Sequence, residues 1–229
     1  METVNLSTFL DAKFHMGHYT KIWNPKMLPF IFTEKYKFHI LNLTVSAKLL
    51  CKTVQYLERC ILAGKKVLFV GTKMEARDHI MNQAKLCNSY FINRRWVGGL
   101  LTNWLTIKDC LVKLRDYEKK EKENRYQLLT KKELSLRRKE LQRLKKNLHG
   151  VKSMTKIPDI VILIDQIREK IALEECNTLK IPVISIVDTD SDPDQIDMPI
   201  PGNDDSIHSI QLILQILANT ILSSSLKIK

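Results

Sequence analysis

Short runs of apolar residues alternate with amphipathic stretches along most of the chain. Residues 66–70, 159–164 and 182–187 are apolar almost throughout, the pattern of strands buried on both faces of a parallel sheet. Residues 38–42 and 90–92 read as shorter strands. Between them, Val45, Leu49, Leu50, Val54, Leu57 and Ile61 recur at helical spacing, predicting a helix over 44–63 with Thr44 as cap and Gly64 as stop. Helices are likewise predicted from Gly71-Thr72-Lys73 to about 86 and over 166–179. A last one runs along Ile207, Ile210, Ile213, Leu214 and Leu217, capped by Asp204 or Asp205. Residues 1–13 give a short helix capped by Asn5 or Ser7, then a loop with Pro25 and Pro29. Strands alternating with helices predict a doubly wound α/β sheet.

The periodicity changes in the middle. From 103 to 122 the apolar stripe is Trp104, Ile107, Leu111 and Leu114, and a second helix to about 148 carries Leu134, Leu141, Leu144 and Leu148. These are narrow seams of the coiled-coil kind. Residues 124–129 break the pattern, and Thr130-Lys-Lys-Glu133 is a capping box. The two helices predict an antiparallel coiled-coil hairpin over 103–148, inserted into a core domain formed by 1–102 and 149–229, with a disordered tail from 223.

Charge alters the picture. The chain has 229 residues and a net charge of +12, and residues 113–146 hold 14 basic against 6 acidic groups, two-thirds of that excess. Such a concentration points to a polyanion such as nucleic acid. No apolar run reaches the roughly 18 residues of a bilayer span, so a membrane partner is not expected. Five cysteines without a C-x-x-C pair read as reduced thiols. The N-terminus shows neither a signal peptide nor a transit segment, so the chain is expected to act where it is made.

Residues 93–104, Asn-Arg-Arg-Trp-Val-Gly-Gly-Leu-Leu-Thr-Asn-Trp, join the α/β pattern to the basic hairpin. Arginine forks suit phosphates, and the glycines permit positive φ and close approach. The tryptophans fit either a core or a stack on bases. Gly71-Thr72-Lys73 is not a P-loop, which needs G-x-x-x-x-G-K-[ST], but a lysine at a helix start suits a phosphate. Phosphate contacts are therefore expected from Lys73, Arg94, Arg95, Lys108, Lys113, Arg115, Arg137, Arg138 and Lys145, with Lys21, Trp23 and Lys26 contributing from the N-terminal loop.

Residues 181–226 contain seven aspartates and no lysine or arginine. Asp188, Asp190, Asp192 and Asp194 alternate as in a calcium loop, but Pro193 stands where the glycine belongs and no glutamate closes the loop. Asp188-Thr-Asp190 after a strand also resembles the start of a metal-dependent phosphatase, which lacks here the later cation its chemistry needs. These acidic loops are expected to face protein or solvent. No metal is required; one divalent ion shared by His15 or His18 with Asp188, Asp204 and Asp205 is the arrangement the pattern would allow.

Together, Phe14-His-Met-Gly-His18, Trp23-Asn-Pro-Lys-Met27, Phe69-Val-Gly-Thr-Lys73, Arg95-Trp-Val-Gly-Gly99, Leu101-Thr-Asn-Trp104, Leu129-Thr-Lys-Lys-Glu133, Ile157-Pro-Asp159, Ile181-Pro-Val183, Val187-Asp-Thr189, Ser191-Asp-Pro-Asp194 and Ile200-Pro-Gly-Asn-Asp-Asp205 resemble, in order, the universal S-two family of small-subunit ribosomal proteins. The resemblance implies a flavodoxin-like sheet with helices on both faces and a projecting coiled-coil hairpin. It implies a non-enzymatic structural role near the head–body junction and messenger exit region. The implied partners are 16S-type rRNA, neighbouring ribosomal proteins and an S-one-type messenger-binding protein. Residues 158–166 and 172–176 look more like plastid than bacterial members. Abundant Ile, Lys, Asn and Leu with 7 glycines suits an AT-rich organelle genome. An organelle-encoded plastid stromal protein is the expectation, and a bacterial cytoplasmic one the alternative.

Overall fold

The computed structural model describes residues 6–122 and 131–227. Its centre is a five-stranded sheet of β4 (Val67–Val70), β5 (Tyr90–Ile92), β6 (Ile160–Leu163), β7 (Val183–Val187) and β8 (Met198–Pro201), in the order β5-β4-β6-β7-β8. Every neighbouring pair is parallel. Counted along the chain within this sheet, the order is 2-1-3-4-5, the flavodoxin-like doubly wound order. Alternate side chains of β4, β5, β6 and β7 enter two separate cores. Phe69, Ile162 and Ile184 face α2 (Leu43–Leu62), α3 (Met74–Leu86) and α7 (Ile207–Leu226). Leu68, Val161 and Val183 face α6 (Lys170–Thr178) and the bases of α4 (Trp104–Lys122) and α5 (Lys131–Leu148).

A second, antiparallel sheet comes from the N-terminal region: β1 (Met16–Tyr19), β2 (Ile31–Lys35) and β3 (Phe38–Leu41), in the order β1-β3-β2. It follows α1 (Leu6–Asp11). Sequence patterning predicts β3 but not β1, β2 or β8. Pro29 precedes β2, and Pro199 and Pro201 lie within β8; proline is tolerated there because β8 is an edge strand.

Several predicted boundaries are corrected. Asn42, not Thr44, caps α2: its side chain accepts from the Thr44 and Val45 N–H groups. The predicted helix over 166–179 begins only at Lys170 and ends at Thr178, residues 166–169 forming a turn after Asp165 at φ +67. Neither Asp204 nor Asp205 caps α7, whose N-cap is Ser206. Asn203 accepts from the Asp205 and Ser206 N–H groups instead. The same helix continues through the predicted tail to Leu226, with Ser224 buried. With 20 residues and a mean hydropathy of 1.4, α7 is also apolar and long enough for a bilayer span, contrary to the sequence reading. Ile210, Ile213, Leu214, Leu217 and Ile221 are spent instead on the core between α2 and α3. Asn5, the break over 124–129 and the Thr130 cap lie outside the described residues.

Phe14 locks the N-terminal region to the main sheet. Its ring is fully buried against Phe9, and it occupies the place a Cβ on Gly202 would need. Gly202→Ala must displace that ring, at a cost of about 1–3 kcal/mol. The urea midpoint is expected to fall accordingly; an unchanged midpoint would show that the packing gives way freely.

Candidate nucleic-acid interface

The Arg-Arg/Gly-Gly stretch is built around one buried carboxylate. Glu175 of α6 accepts from Trp96 Nε1 (2.9 Å), the N–H groups of Gly99 (2.8 Å), Leu101 (2.9 Å) and Thr102 (3.1 Å), and the Thr102 hydroxyl (3.2 Å). Gly99 makes the turn at φ +80, where a side chain would be strained. Burial alone would raise the Glu175 carboxyl. The donors from Trp96, Thr102, Leu101 and Gly99 outweigh it and hold the carboxyl below its ordinary range.

Trp96 is thus a buried anchor at 8% exposure and is not presented for base stacking, while Trp104 packs half-buried against the same core. On the other side, Asn93 donates its amide to the Arg77 carbonyl (3.1 Å). Arg94 and Arg95 form an exposed arch between these two fixed points. A pinned backbone reduces the ordering cost of any contact the two guanidiniums make.

The chain then enters α4, where Ile107, Leu111 and Leu114 are buried with Leu141 and Leu148 of α5. Acidic side chains here tie the segment together. Lys145 bonds Glu121 (2.9 Å), Tyr117 reaches Glu140 (3.4 Å), and Lys152 pairs with Glu118. Lys108, Lys113, Arg137 and Arg138 remain exposed. Arg115 is exposed but donates to the Lys152 carbonyl (3.2 Å). Lys145 is partly committed to Glu121. Lys21 is exposed, and Trp23 is half-buried with its ring 5.0 Å from that of His39.

Lys26 and Lys73 do not stand ready for a phosphate. Lys26 pairs with Asp192 and Asp194, each at 2.9 Å. Lys73 lies at the carboxyl end of β4, where open α/β sheets bind ligands. There its ammonium is buried among Asp205 (2.6 Å), Asp204 (2.9 Å) and Asp165 (3.4 Å). Asp188 and Asp204 are correspondingly buried, at 1% and 3% exposure, not turned to solvent or a partner as predicted. The N-terminal segment covers this edge. His18 N–H bonds Thr189 Oγ1 (2.9 Å), and Asn24 N–H bonds the Thr189 carbonyl (2.7 Å). The His18 ring lies 3.2 Å from Asp188, 3.3 Å from Asp205 and 3.8 Å from Asp190.

Of the predicted metal candidates, His18 and Asp188 do converge, joined by Asp190, with donor atoms within 4.8 Å of one another. Asp204 and Asp205 are engaged by Lys73, and His15 does not join the group. Lys73 supplies positive charge to Asp204 and Asp205, and the His18 ring lies against Asp188, Asp190 and Asp205. Asp188, the first aspartate of the phosphatase-like Asp188-Thr-Asp190, is buried beneath His18 and Thr189.

The close pairing with Asp188 raises His18 to about 9 against the opposing effect of burial, while burial and the Asp188 charge push Asp204 up to about 7. Both folded values exceed the free ones. The Asp204 contribution is therefore lost as pH rises from about 4 to 7, and that of His18 as pH rises from about 6.5 to 9. The His18 share is on the order of 3 kcal/mol. Unfolding free energy should thus fall between pH 6.5 and 9 in the native protein and flatten there in His18→Gln. An equally steep fall in both would remove His18 from the account. Glu175→Ala strands buried donors and should cost about 3 kcal/mol or more, with Glu175→Gln costing less, both read from urea midpoints. A midpoint unchanged in Glu175→Ala would contradict the anchoring role.

A family profile described as Ribosomal protein S2 matches residues 9–224. The small ribosomal subunit protein uS2c of Trieres chinensis is 49% identical over 229 residues, covering all of both chains. That of Phaeodactylum tricornutum is 51% identical, covering 97% of this chain and 98% of the relative. The uS2 protein of Nostoc punctiforme is 46% identical over 96% of this chain and 84% of its own. With a parallel α/β sheet as the resemblance implied, and a match over nearly its whole length, the chain belongs to the ribosomal protein S2 family.

Proposed function

We propose that this chain is a structural, non-catalytic constituent of the small ribosomal subunit and supports translation by binding 16S-type rRNA. Family membership carries the role, and the exposed Arg94–Arg95 arch beside the basic α4–α5 segment carries the mode of attachment. The buried face of the arch is fixed by Glu175, so the arginines meet a phosphate backbone in one orientation. Lys108, Lys113, Arg137 and Arg138 extend the surface along residues 103–148, which we read as a coiled-coil insertion into the core domain. Contacts of this kind position a protein on RNA and respond to helix shape more than to sequence.

Neighbouring ribosomal proteins are further partners in this reading, and an S-one-type protein is a candidate for the surface that RNA leaves open. A membrane has no part in it, since the apolar helix α7 is consumed by the core. No cofactor is needed for this role, and at the acidic edge Lys73 pairs with Asp204 and Asp205. The uS2c relatives of two diatoms match at 49% and 51% identity, whereas other uS2c relatives match at 45–46%, level with cyanobacterial uS2 at 46%; the diatom matches, with the composition, favour a plastid over a bacterial cytoplasm.

Arg94→Ala combined with Arg95→Ala is expected to fold normally and to incorporate poorly into small subunits. Its log–log salt slope should be shallower by roughly 0.7–0.9 for each phosphate the variant no longer neutralises. Normal incorporation at every salt concentration would assign the arginines elsewhere.

A further inference from the structure

The N-terminal antiparallel sheet carries chemistry that the arginine arch and basic helices do not. Tyr19 pairs across the sheet with Phe38, as does Lys35, so all three project from one face. The rings of Tyr19 and Phe38 lie 4.0 Å apart between centroids. The opposite face holds His39 and Leu41, both buried, with Glu34 across from His39. The acidic side chain of β2 is therefore directed away from the aromatic one.

Strands β2 and β3 are joined by Tyr36 and Lys37 alone, at φ +53 and +65. A two-residue turn of this kind favours Asn-Gly, and residues with a Cβ occupy it at a cost. Here that cost places a tyrosine at the tip, 84% exposed, with the Lys35 ammonium 5.6 Å from its ring centroid. The Lys37 carbonyl accepts from Thr20 N–H (3.0 Å), which brings the tip beside the end of β1 and exposed Lys21. Tyr19 is 54% exposed.

We propose that this face is a stacking platform for unpaired RNA bases, with Tyr36 and Tyr19 as the stacking rings and Lys21, Lys35 and Lys37 holding the flanking phosphates. The proposal rests on the RNA-binding role above and adds a second mode to it. The arch and α4–α5 meet backbone, whereas this sheet takes splayed bases. Exposed rings interleaved with lysines suit a strand of alternating bases and phosphates. A protein surface would have less use for three ammonium groups around two rings.

The test uses the full chain, a fluorescent ten-nucleotide oligouridine and an RNA duplex of the same length, with binding followed by anisotropy. Tyr36→Ala and Tyr36→Asn should each weaken oligouridine binding roughly tenfold while leaving duplex binding unchanged, and Tyr36→Phe should retain it. Tyr36→Asn suits the left-handed turn better, so it should raise the melting temperature even as it loses the ligand, which a purely structural role would not give. Arg94→Ala with Arg95→Ala should weaken duplex binding. Oligouridine binding indifferent to Tyr36, or absent while the duplex binds, would overturn the platform and leave the RNA-binding role standing. Loss of both ligands in the native protein would overturn both. In purified small subunits, a photoreactive group replacing Tyr36 should cross-link to RNA. A product formed without messenger identifies a ribosomal RNA strand, and one formed only with messenger identifies the messenger. Cross-linking to protein alone would refute the proposal.

Discussion

One carboxylate determines how the arginine arch is presented. Glu175 lies on the buried side of α6 and draws Trp96, Gly99, Leu101 and Thr102 onto a single point. Without it, three backbone N–H groups, an indole N–H and a hydroxyl would need other partners inside a largely apolar core. With it, the chain leaves β5, exposes two arginines, turns at Gly99 and starts α4 in a fixed direction. A loop that would otherwise be free to move becomes a rigid mount for positive charge.

The same economy of charge explains how the crevice of this flavodoxin-like sheet is filled. In an open α/β sheet the carboxyl ends of the central strands form a polar recess suited to a phosphate or nucleotide. Here Lys73 turns inward to Asp165, Asp204 and Asp205, and the segment around His18 and Asn24 is stitched across Thr189. Gly17 sits so close to Thr189 that a side chain there would clash. The recess is filled by the protein itself, and the basic surface lies with the arch and on α4 and α5.

Much of this was legible in the residues. The apolar runs at β4, β6 and β7 could only be strands buried on both sides, and the narrow seams of α4 and α5 marked helices unlike those of the core. The prolines hid β2 and β8, because edge strands tolerate what central strands forbid. Lys73 carried a misleading signal: a lysine after a strand reads as a phosphate ligand until the fold brings in aspartates more than 90 positions away. Glu175 was missed for the same reason, since its donors lie some 75 positions upstream. One clue was present: it shares a helix face with Ala172 and Cys176, where a carboxylate must find buried donors or not be buried at all.

Attachment through backbone phosphates is the centre of this account, and sedimentation tests it most directly. Native extract would be run through sucrose gradients at low and at high salt, with the protein followed by immunoblot. The account predicts co-migration with the small subunit at low salt and progressive release as salt rises. Migration as a free protein of 26.7 kDa at both salt concentrations would contradict it.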